Sequence, residues 1–383
     1  MIASMLRFHT AAALSVAVVL RASLAAAAGI AISQPVDLQV VQRGSGGMAM
    51  VSVSGTVTGV PEEGNAIEMR IVSGDTAGGW QQPEIRFQGR SFATAIPMPA
   101  GGWHRLESRL IRAGDAVADT AVDRVGVGEV FVVAGQSNSA NHGEGRNRPR
   151  SDRVVTCAGA TWRPAADPQP GASGGGGSFM PALGDMLVEA LDVPVGFVAC
   201  GIGATSVREW LPAGERFPNP PTLEGNVRRL PEGGWESDGR AFNAFVARMK
   251  PLGPHGFRAV LWHQGESDAN QADATRTLPG PLYRDALEKL IRASRREIGW
   301  DAPWFVAQAS YHVPGDEGSP EIREAQAAVC RAGIAVAGPD SDALKGDLRE
   351  AGGKGVHFSA KGLREHAARW AEKILPWLQN DAR

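Results

Sequence analysis

The chain has 383 residues, of which 43% are hydrophobic and 21% charged, as is typical of an ordinary globular protein with a sizeable core. Its formal net charge of −2 provides neither the basic surface that nucleic acids require nor an acidic tail. Three cysteines are too few for a disulfide-dense scaffold, and their spacing fits no zinc or redox motif.

The N-terminal segment, residues 1–28, predicts a secretory signal peptide. A basic start precedes an apolar run at residues 11–20, and small residues at 25–28 provide cleavage sites. Arg21 interrupts the apolar run, so a spanning helix of about 20 residues is not expected. We therefore predict a secreted or periplasmic protein with no membrane span in the mature chain.

Residues 29–125 predict a small all-β, sandwich-like domain. Short runs of alternating apolar and polar residues are separated by turn residues, without helical periodicity. The predicted strands are Val36–Val41, Ala49–Ser54, Ala66–Val72, Ser91–Ile96 and Trp103–Ile111. No catalytic constellation is visible in this region, and packing, shaping of a cleft and carbohydrate binding all stay open as its role.

From residue 126 to residue 383 the pattern changes to alternating strands and helices. The predicted strands are Val130–Ala134, Val195–Cys200, Arg258–His263, Trp304–Ala309 and Ile334–Ala337. The predicted helices are Met180–Leu191, Arg240–Lys250, Leu282–Glu297, Glu321–Arg331 and Ala360–Leu378. This alternation predicts a parallel sheet with helices on both faces. The glycine-rich connection at residues 146–178 predicts a mobile surface loop near the crevice.

Polar and glycine-containing segments follow several of the predicted parallel strands. The first places Ser137, within Gly135-Gln-Ser-Asn138, just past the end of a buried strand. The carboxyl ends of parallel strands meet at one edge of a sheet, where open α/β folds bind their ligands. We therefore expect three further segments to share a crevice with Ser137. Segment 200–210 adds a glycine-rich turn, segment 260–268 a carboxylate with an amide, and segment 355–362 a histidine.

These groups are the parts of an acyl-transfer site. A serine hydroxyl such as that of Ser137 is a weak nucleophile until a base accepts its proton, and histidine suits that task because its pKa lies near neutrality. A carboxylate orients the imidazole. The tetrahedral oxygen needs preorganised donors, for which the backbone N–H groups of Ser137 and Gly203 and the amide of Gln264 are candidates.

Four sequence blocks carry a family resemblance: GQSN, GxGATSxxEW, WHQGESD and VHFSxKG, in that order over about residues 128–378. With them the chain resembles the SGNH/GDSL hydrolase superfamily, and within it the sialate O-acetylesterase and acetylxylan esterase group of carbohydrate esterases. The resemblance implies a flavodoxin-like three-layer α/β/α domain over residues 126–383, catalysis through an acyl-enzyme, and no cofactor. No metal is expected either, because His263 and Glu266 alone make no metal site.

Carried over by motif, the resemblance makes Ser137 the nucleophile and His357 the general base. Gly203 matches the glycine of the oxyanion block. Gln264 stands where many superfamily members have asparagine, and it is the usual residue in this branch.

The acid of the triad is the point at which the chain departs from the superfamily pattern. Many members have aspartate three residues before the histidine, where this chain has Lys354. A lysine ammonium cannot accept the imidazole N–H, so the acid must come from elsewhere. The resemblance points to Glu266, with three aspartates near His357 in reserve. These are Asp340, Asp342 and Asp347.

Three further residues are candidates for substrate binding: Asn138, Arg208 and Trp210. For Asn138 a loop-fixing role is the alternative, and for the other two a structural ion pair and a core tryptophan. The leading interpretation is a serine esterase that hydrolyses O-acetyl esters on carbohydrates, similar to sialate O-acetylesterases, with acetylxylan as the alternative substrate.

A second interpretation is a catalytically inactive carbohydrate-binding protein that uses the same crevice. The substitution at Lys354 and the N-terminal β region motivate it. The sequence does not determine which acetylated sugar is bound, nor the oligomeric state.

Overall fold

The computed structural model of the protein describes residues 27–59 and 64–381. The predicted signal peptide lies outside the described residues, apart from its last two positions. Within the described ranges, no helix is both long enough and apolar enough to cross a membrane.

The N-terminal region consists of two β-sheets around one apolar core. Its strands are β1 (Gly29–Gln34), β2 (Gln39–Gln42), β3 (Met48–Thr58), β4 (Asn65–Ser73), β5 (Thr76–Ala77), β6 (Arg86–Gln88), β7 (Ser91–Pro99) and β8 (His104–Arg112). One sheet has the order β1-β3-β7-β6, while β4, β5 and β8 belong to the other. Alternate residues of β3, including Val51 and Val53, are fully buried, as expected for a strand with one face on the core.

A single long strand, β9 (Asp115–Gly135), connects this region to the rest of the chain. Its first half pairs with β8, and its second half lies in the parallel sheet. The predicted boundary between residues 125 and 126 therefore falls inside a continuous strand. Fully buried Glu129 joins the two parts, because it pairs with Arg43 from the N-terminal side and with Arg258, each at 2.7 Å.

The C-terminal region is built on a mainly parallel sheet of order β11-β10-β12-β9-β16-β17-β18. Its strands, with those of a small separate sheet, are β10 (Val154–Ala158), β11 (Thr161–Pro164), β12 (Val195–Ala199), β13 (Arg216–Phe217), β14 (Val227–Arg229), β15 (Trp235–Ser237), β16 (Ala259–His263), β17 (Trp304–Gln308) and β18 (Val336–Asp340). The helices are α1 (Met180–Leu191), α2 (Arg240–Met249), α3 (Gly280–Ile298), α4 (Pro320–Arg331), α5 (Glu350–Gly353) and α6 (Ala360–Asp381).

Helices cover both faces of this sheet. Apolar residues of α2, α3 and α4 pack on one face, and those of α1 and α6 pack on the other. The strands β12 and β16 are buried along their whole length, which is why they read as continuous apolar runs in the sequence. The mixed α/β character and the five predicted helices are confirmed, with ends within two or three residues of those expected.

The expectation of a surface loop at residues 146–178 is wrong. This segment contains β10, which pairs in parallel with β12, and β11, which pairs with β10. Its ends are also tied together, since the Asp167 carboxylate accepts hydrogen bonds from the backbone N–H groups of Asn147 (3.0 Å) and Ser178 (2.8 Å). The glycine-rich composition obscured a short β-branched strand, β10, which lies between β11 and β12 in the sheet.

Candidate active site

The turn after β9 presents Ser137 at the carboxyl edge of the sheet. Gly135 has φ +124°, and a Cβ there would lie 2.0 Å from the carbonyl oxygen of His263 on β16, so only glycine fits. The Gln136 N–H donates to that same carbonyl (2.9 Å), and Ser137–Ser139 form one 3-10 turn. Within the described part of the chain, neither the hydroxyl nor the backbone N–H of Ser137 has a hydrogen-bond partner. Both groups are therefore free to act on a substrate.

His357 is held by a carboxylate that the sequence reasoning did not identify. Its Nδ1 lies 2.7 Å from Glu350 Oε1, which also accepts the His357 backbone N–H (3.1 Å). The carboxylate reaches this position past Gly355, where a Cβ would lie 2.2 Å from Glu350 Cγ. Among the described residues, His357 Nε2 has no hydrogen-bond partner, so this nitrogen is free to accept a proton.

The amide of Asn138 links the nucleophile turn to the segment that carries His357. Its Nδ2 donates to the carbonyl oxygen of Val356 (3.2 Å) and to Glu266 Oε1 (3.0 Å). Ser137 and His357 are therefore each one residue away from this contact, on adjacent segments. Asn138 is buried and its Nδ2 is occupied, which favours the alternative role of fixing the loops, while its buried Oδ1 has no hydrogen-bond partner among the described residues.

Buried Arg349 also holds the segment that leads to His357. Its guanidinium donates to the carbonyl oxygens of Leu344 (2.6 Å), Ser341 (2.8 Å) and Val356 (2.7 Å). The rings of two aromatic residues lie on it at 4.0 and 4.3 Å; these are Tyr311 and Phe358. Arg349 therefore fixes the backbone immediately before His357.

The prediction that Glu266 is the acid partner of His357 is not supported by the geometry. Glu266 is 3% exposed, contacts Asn138, and lies 3.7 Å from Nδ1 of His263. Within the described residues, it shares no hydrogen bond or ion pair with His357. The signal that could have found Glu350 is its place seven residues before His357, with Gly352, Gly353 and Gly355 allowing the chain to fold back.

The reserve candidates for the acid are engaged elsewhere. Asp340 and Asp342 pair with Arg323 at 2.8 and 2.9 Å. Asp347 pairs with Lys361 at 2.6 Å on the surface. None of the three aspartates forms an ion pair with His357 in the described structure.

Gln264 does not offer its amide to the crevice, contrary to the prediction. It is 0% exposed, and its Nε2 donates to Asp268 Oδ2 (2.7 Å) and to the Thr205 carbonyl oxygen (3.1 Å). Both amide protons are thus used inside the protein. The two other predicted oxyanion donors differ in state: the Ser137 N–H is free, whereas the Gly203 N–H donates to Ser173 Oγ at 2.6 Å.

Arg208 and Trp210 lie beneath the crevice, so their assignment to a sugar pocket is corrected. Arg208 is 1% exposed, pairs with Asp268 at 3.1 Å, and donates to several backbone carbonyls. Trp210 is fully buried, and its Nε1 donates to Thr205 Oγ1 at 2.8 Å. Both residues stabilise the turn that presents Gly203 from inside the protein.

A second histidine borders the site and was missed in the sequence. The ring of His142 stacks on that of His357, with centroids 5.4 Å apart and planes inclined by 29°. His142 Nε2 lies 3.0 Å from Ser173 Oγ. Burial, and next the charge of His357, lower the pKa of His142, which favours its neutral form.

The structure shows neither a metal site nor a large groove at the catalytic residues that it describes. In the ranges that the structure describes, no three His, Cys, Asp or Glu side chains are grouped so as to hold a metal ion. A groove of about 1690 Å³ lies between the two regions, beside Met48, Cys157, Arg248 and Trp300, and none of the residues discussed for catalysis lines it. The chemistry of Ser137 and His357 therefore belongs to the carboxyl edge of the sheet and not to this groove.

Comparisons with known proteins concern the family and the fold of the chain. Residues 127–376 match the model of a family described as carbohydrate esterase, sialic acid-specific acetylesterase. A carbohydrate acetylesterase from Xanthomonas citri has a similar fold, with a TM-score of 0.52 and 19% identity over 88% of this chain and 72% of that one. A carbohydrate esterase family 2 enzyme with a carbohydrate binding domain, from Corynascus thermopiles (Myceliophthora fergusii), gives a TM-score of 0.39 and 16% identity over 91% of this chain and 99% of that one. No significant match was found among curated proteins.

Proposed function

This chain belongs to the carbohydrate esterase family of sialic acid-specific acetylesterases, and from that membership we propose that it is a serine esterase that hydrolyses O-acetyl esters on carbohydrates through an acyl-enzyme. The observation that carries the proposal is the pairing of His357 Nδ1 with Glu350 at 2.7 Å beside an unpaired Ser137. A serine, a histidine and a carboxylate in this relation form the charge arrangement of a catalytic triad.

The first half of the reaction acylates Ser137. Ser137 Oγ attacks the acetyl carbonyl carbon while His357 Nε2 takes the hydroxyl proton. Glu350 stabilises the imidazolium that forms. The tetrahedral intermediate then collapses, its bond to the sugar oxygen breaks, and His357 returns the proton to that oxygen.

The second half releases acetate. His357 takes a proton from a water molecule, whose oxygen attacks the acyl carbon. Collapse of this second intermediate breaks the bond to Ser137 Oγ, which regains its proton from His357. The donors for the negative oxygen are the N–H groups of Ser137 and Gly203, the second after the substrate oxygen replaces Ser173 Oγ.

Within this proposal the domain of residues 126–383 is of the SGNH type, with a flavodoxin-like three-layer arrangement, and residues 29–125 form a β domain joined to it through the continuous strand β9. We propose sialate esters as the leading substrate class and acetylated xylan as the alternative. Secretion or a periplasmic location rests on the sequence pattern of residues 1–28. The binding-only interpretation was motivated by Lys354 and by the N-terminal β region. The contact between Glu350 and His357 supports the esterase instead, because it supplies a carboxylate although position 354 is a lysine.

The test is acetate release from a panel of acetylated sugars by the wild type and by Ser137→Ala. We expect the variant to lose turnover while its thermal unfolding stays close to that of the wild type, because the Ser137 hydroxyl makes no hydrogen bond in the described structure. Turnover retained by Ser137→Ala would exclude the proposed nucleophile. A folded wild type that binds acetylated glycans without releasing acetate would favour the binding-only interpretation.

A further inference from the structure

We propose that His142 determines the length of the acyl group, by forming the wall that restricts the site to acetyl esters. This inference rests on the proposed esterase function and deepens it. Neither the family match nor the sequence motifs assign a role to His142.

The imidazole of His142 lies between the two groups that must both reach the acyl carbon. On one side it stacks on the ring of His357, with centroids 5.4 Å apart. On the other side it lies against Gly203, where a Cβ would be 2.7 Å from His142 Nε2 and 2.9 Å from Cε1. An acyl carbon attached to Ser137 must lie within reach of the His357 imidazole and of the Gly203 N–H. The His142 ring therefore borders the space around that carbon.

The His142 ring also makes a hydrogen bond, besides its contacts with His357 and Gly203. His142 Nε2 lies 3.0 Å from Ser173 Oγ, and Ser173 Oγ in turn accepts the Gly203 N–H at 2.6 Å. The Ser173 hydroxyl can donate to Nε2 of a neutral imidazole while its oxygen accepts the Gly203 N–H, and burial, which lowers the pKa of His142, favours that neutral form. The ring, Ser173 and Gly203 are thus connected before substrate binds, and Ser173 can still hold His142 Nε2 when a substrate oxygen takes over the Gly203 N–H.

The backbone on both sides of His142 is also tied down. The Asn141 N–H donates to the Ser173 carbonyl oxygen at 2.9 Å. Gly143 and Gly177 exchange two backbone hydrogen bonds, of 3.0 and 2.8 Å. Gly143 is packed so closely that a Cβ would lie 2.8 Å from a side-chain methyl carbon of Leu363. The main chain of His142 is therefore fixed, and its ring can move aside for a longer acyl chain only by losing its contacts with Ser173 and His357.

Removal of the ring should open this space. The test is to measure kcat/KM for p-nitrophenyl acetate, propionate and butyrate with the wild type and with His142→Ala. We expect the butyrate-to-acetate ratio to rise by about ten-fold or more, since one methylene in a tight apolar pocket is worth about that factor. His142→Phe keeps the ring without its hydrogen bond, so this variant should retain the wild-type ratio.

His312 provides a matched control. It is also half-buried, and its Nε2 lies 2.6 Å from the Glu266 carbonyl oxygen, away from Gly203. His312→Ala should leave the butyrate-to-acetate ratio unchanged. Thermal unfolding of each variant shows whether it is folded. If His142→Ala does not fold, His142→Val provides a second variant whose side chain is smaller than that of histidine.

The outcomes separate the inference from the proposed function. An equal fall in kcat/KM for all three esters in His142→Ala, with an unchanged ratio, would overturn the role of His142 and leave the esterase intact. The same rise in ratio in His312→Ala would also overturn it. A folded wild type that hydrolyses none of the three esters and no acetylated sugar would instead remove the proposed function itself.

Discussion

Replacement of Glu350 by glutamine is the sharpest test of the acid–base pair. The amide can still accept the His357 ring N–H through its oxygen, so the orientation of the imidazole is preserved while the negative charge is lost. His357 becomes positively charged during both steps of the proposed reaction. The variant therefore isolates the electrostatic stabilisation of the imidazolium.

The magnitude follows from the geometry of the pair. Two unit charges about 4 Å apart attract by about 4 kcal/mol at an effective dielectric constant of about 20. The side chains of His357 and Glu350 are 23% and 25% exposed, so water and salt reduce this to about 2 kcal/mol. A loss of about 2 kcal/mol in transition-state stabilisation lowers kcat by about 30-fold. KM should stay the same, since the carboxylate faces Nδ1 and not the substrate.

The assay is steady-state hydrolysis of p-nitrophenyl acetate at neutral pH, with Glu266→Gln as the matched control. Glutamine at position 266 can keep accepting the Asn138 amide, so we expect little change in kcat for that variant. The reasoning fails if Glu350→Gln retains wild-type kcat, or if Glu266→Gln loses as much activity as Glu350→Gln. Either result would return the acid role to another carboxylate.

Two further predictions concern the residues that surround the pair. Arg349→Lys should lower the free energy of unfolding by about 2–4 kcal/mol and lower kcat more than KM, because a lysine cannot donate to all three carbonyls, Val356 included, and each carbonyl left without a donor costs about 1–3 kcal/mol. Urea unfolding measures the first effect and kinetics at saturating substrate the second, and an unchanged stability would contradict the prediction. His366 is fully buried, with a pKa lowered well below 6.5 chiefly by desolvation and next by His263, so it is neutral in the native state and takes up a proton on unfolding below pH 6.5. The contribution of His366 to the free energy of unfolding should therefore be fully present above pH 6.5 and fall by about 1.4 kcal/mol per pH unit below it. Urea titrations at several acidic pH values should show that the free energy of unfolding falls less steeply with pH in His366→Phe than in the wild type. An identical pH dependence would argue against the prediction.

The parts of this protein that the sequence predicted well are those governed by local patterns. The helices α1 to α4 and α6 follow from amphipathic spacing. The structure adds a cap at α4, where the Ser319 side chain accepts the Ile322 N–H. The buried strands that end at His263 and Gly135 follow from unbroken apolar runs. Ser137 and His357 could be located because each follows or precedes such an element at the same edge of the sheet.

The predictions failed for side chains that have several possible hydrogen-bond partners. Gln264 and Arg208 carry suitable donors, yet both are fully engaged with Asp268 and with backbone carbonyls beneath the crevice. Residue type and spacing do not reveal which way such a side chain points, because the competing acceptors come from distant parts of the chain.

The sequence by itself determined the α/β alternation, and its motifs singled out Ser137 and His357 at the ends of elements that meet at one edge of the sheet. Only the tertiary structure showed that Glu350, and not Glu266, meets Nδ1 of His357, and that His142 lies between His357 and Gly203. The physical reason is that apolar periodicity is a local property that places elements, whereas a hydrogen bond or a ring contact depends on positions to within a fraction of an ångström. The left-handed turn at Ala351 to Gly353 and the open side of Gly355 provide that positioning for Glu350, and they become evident only when the chain is folded.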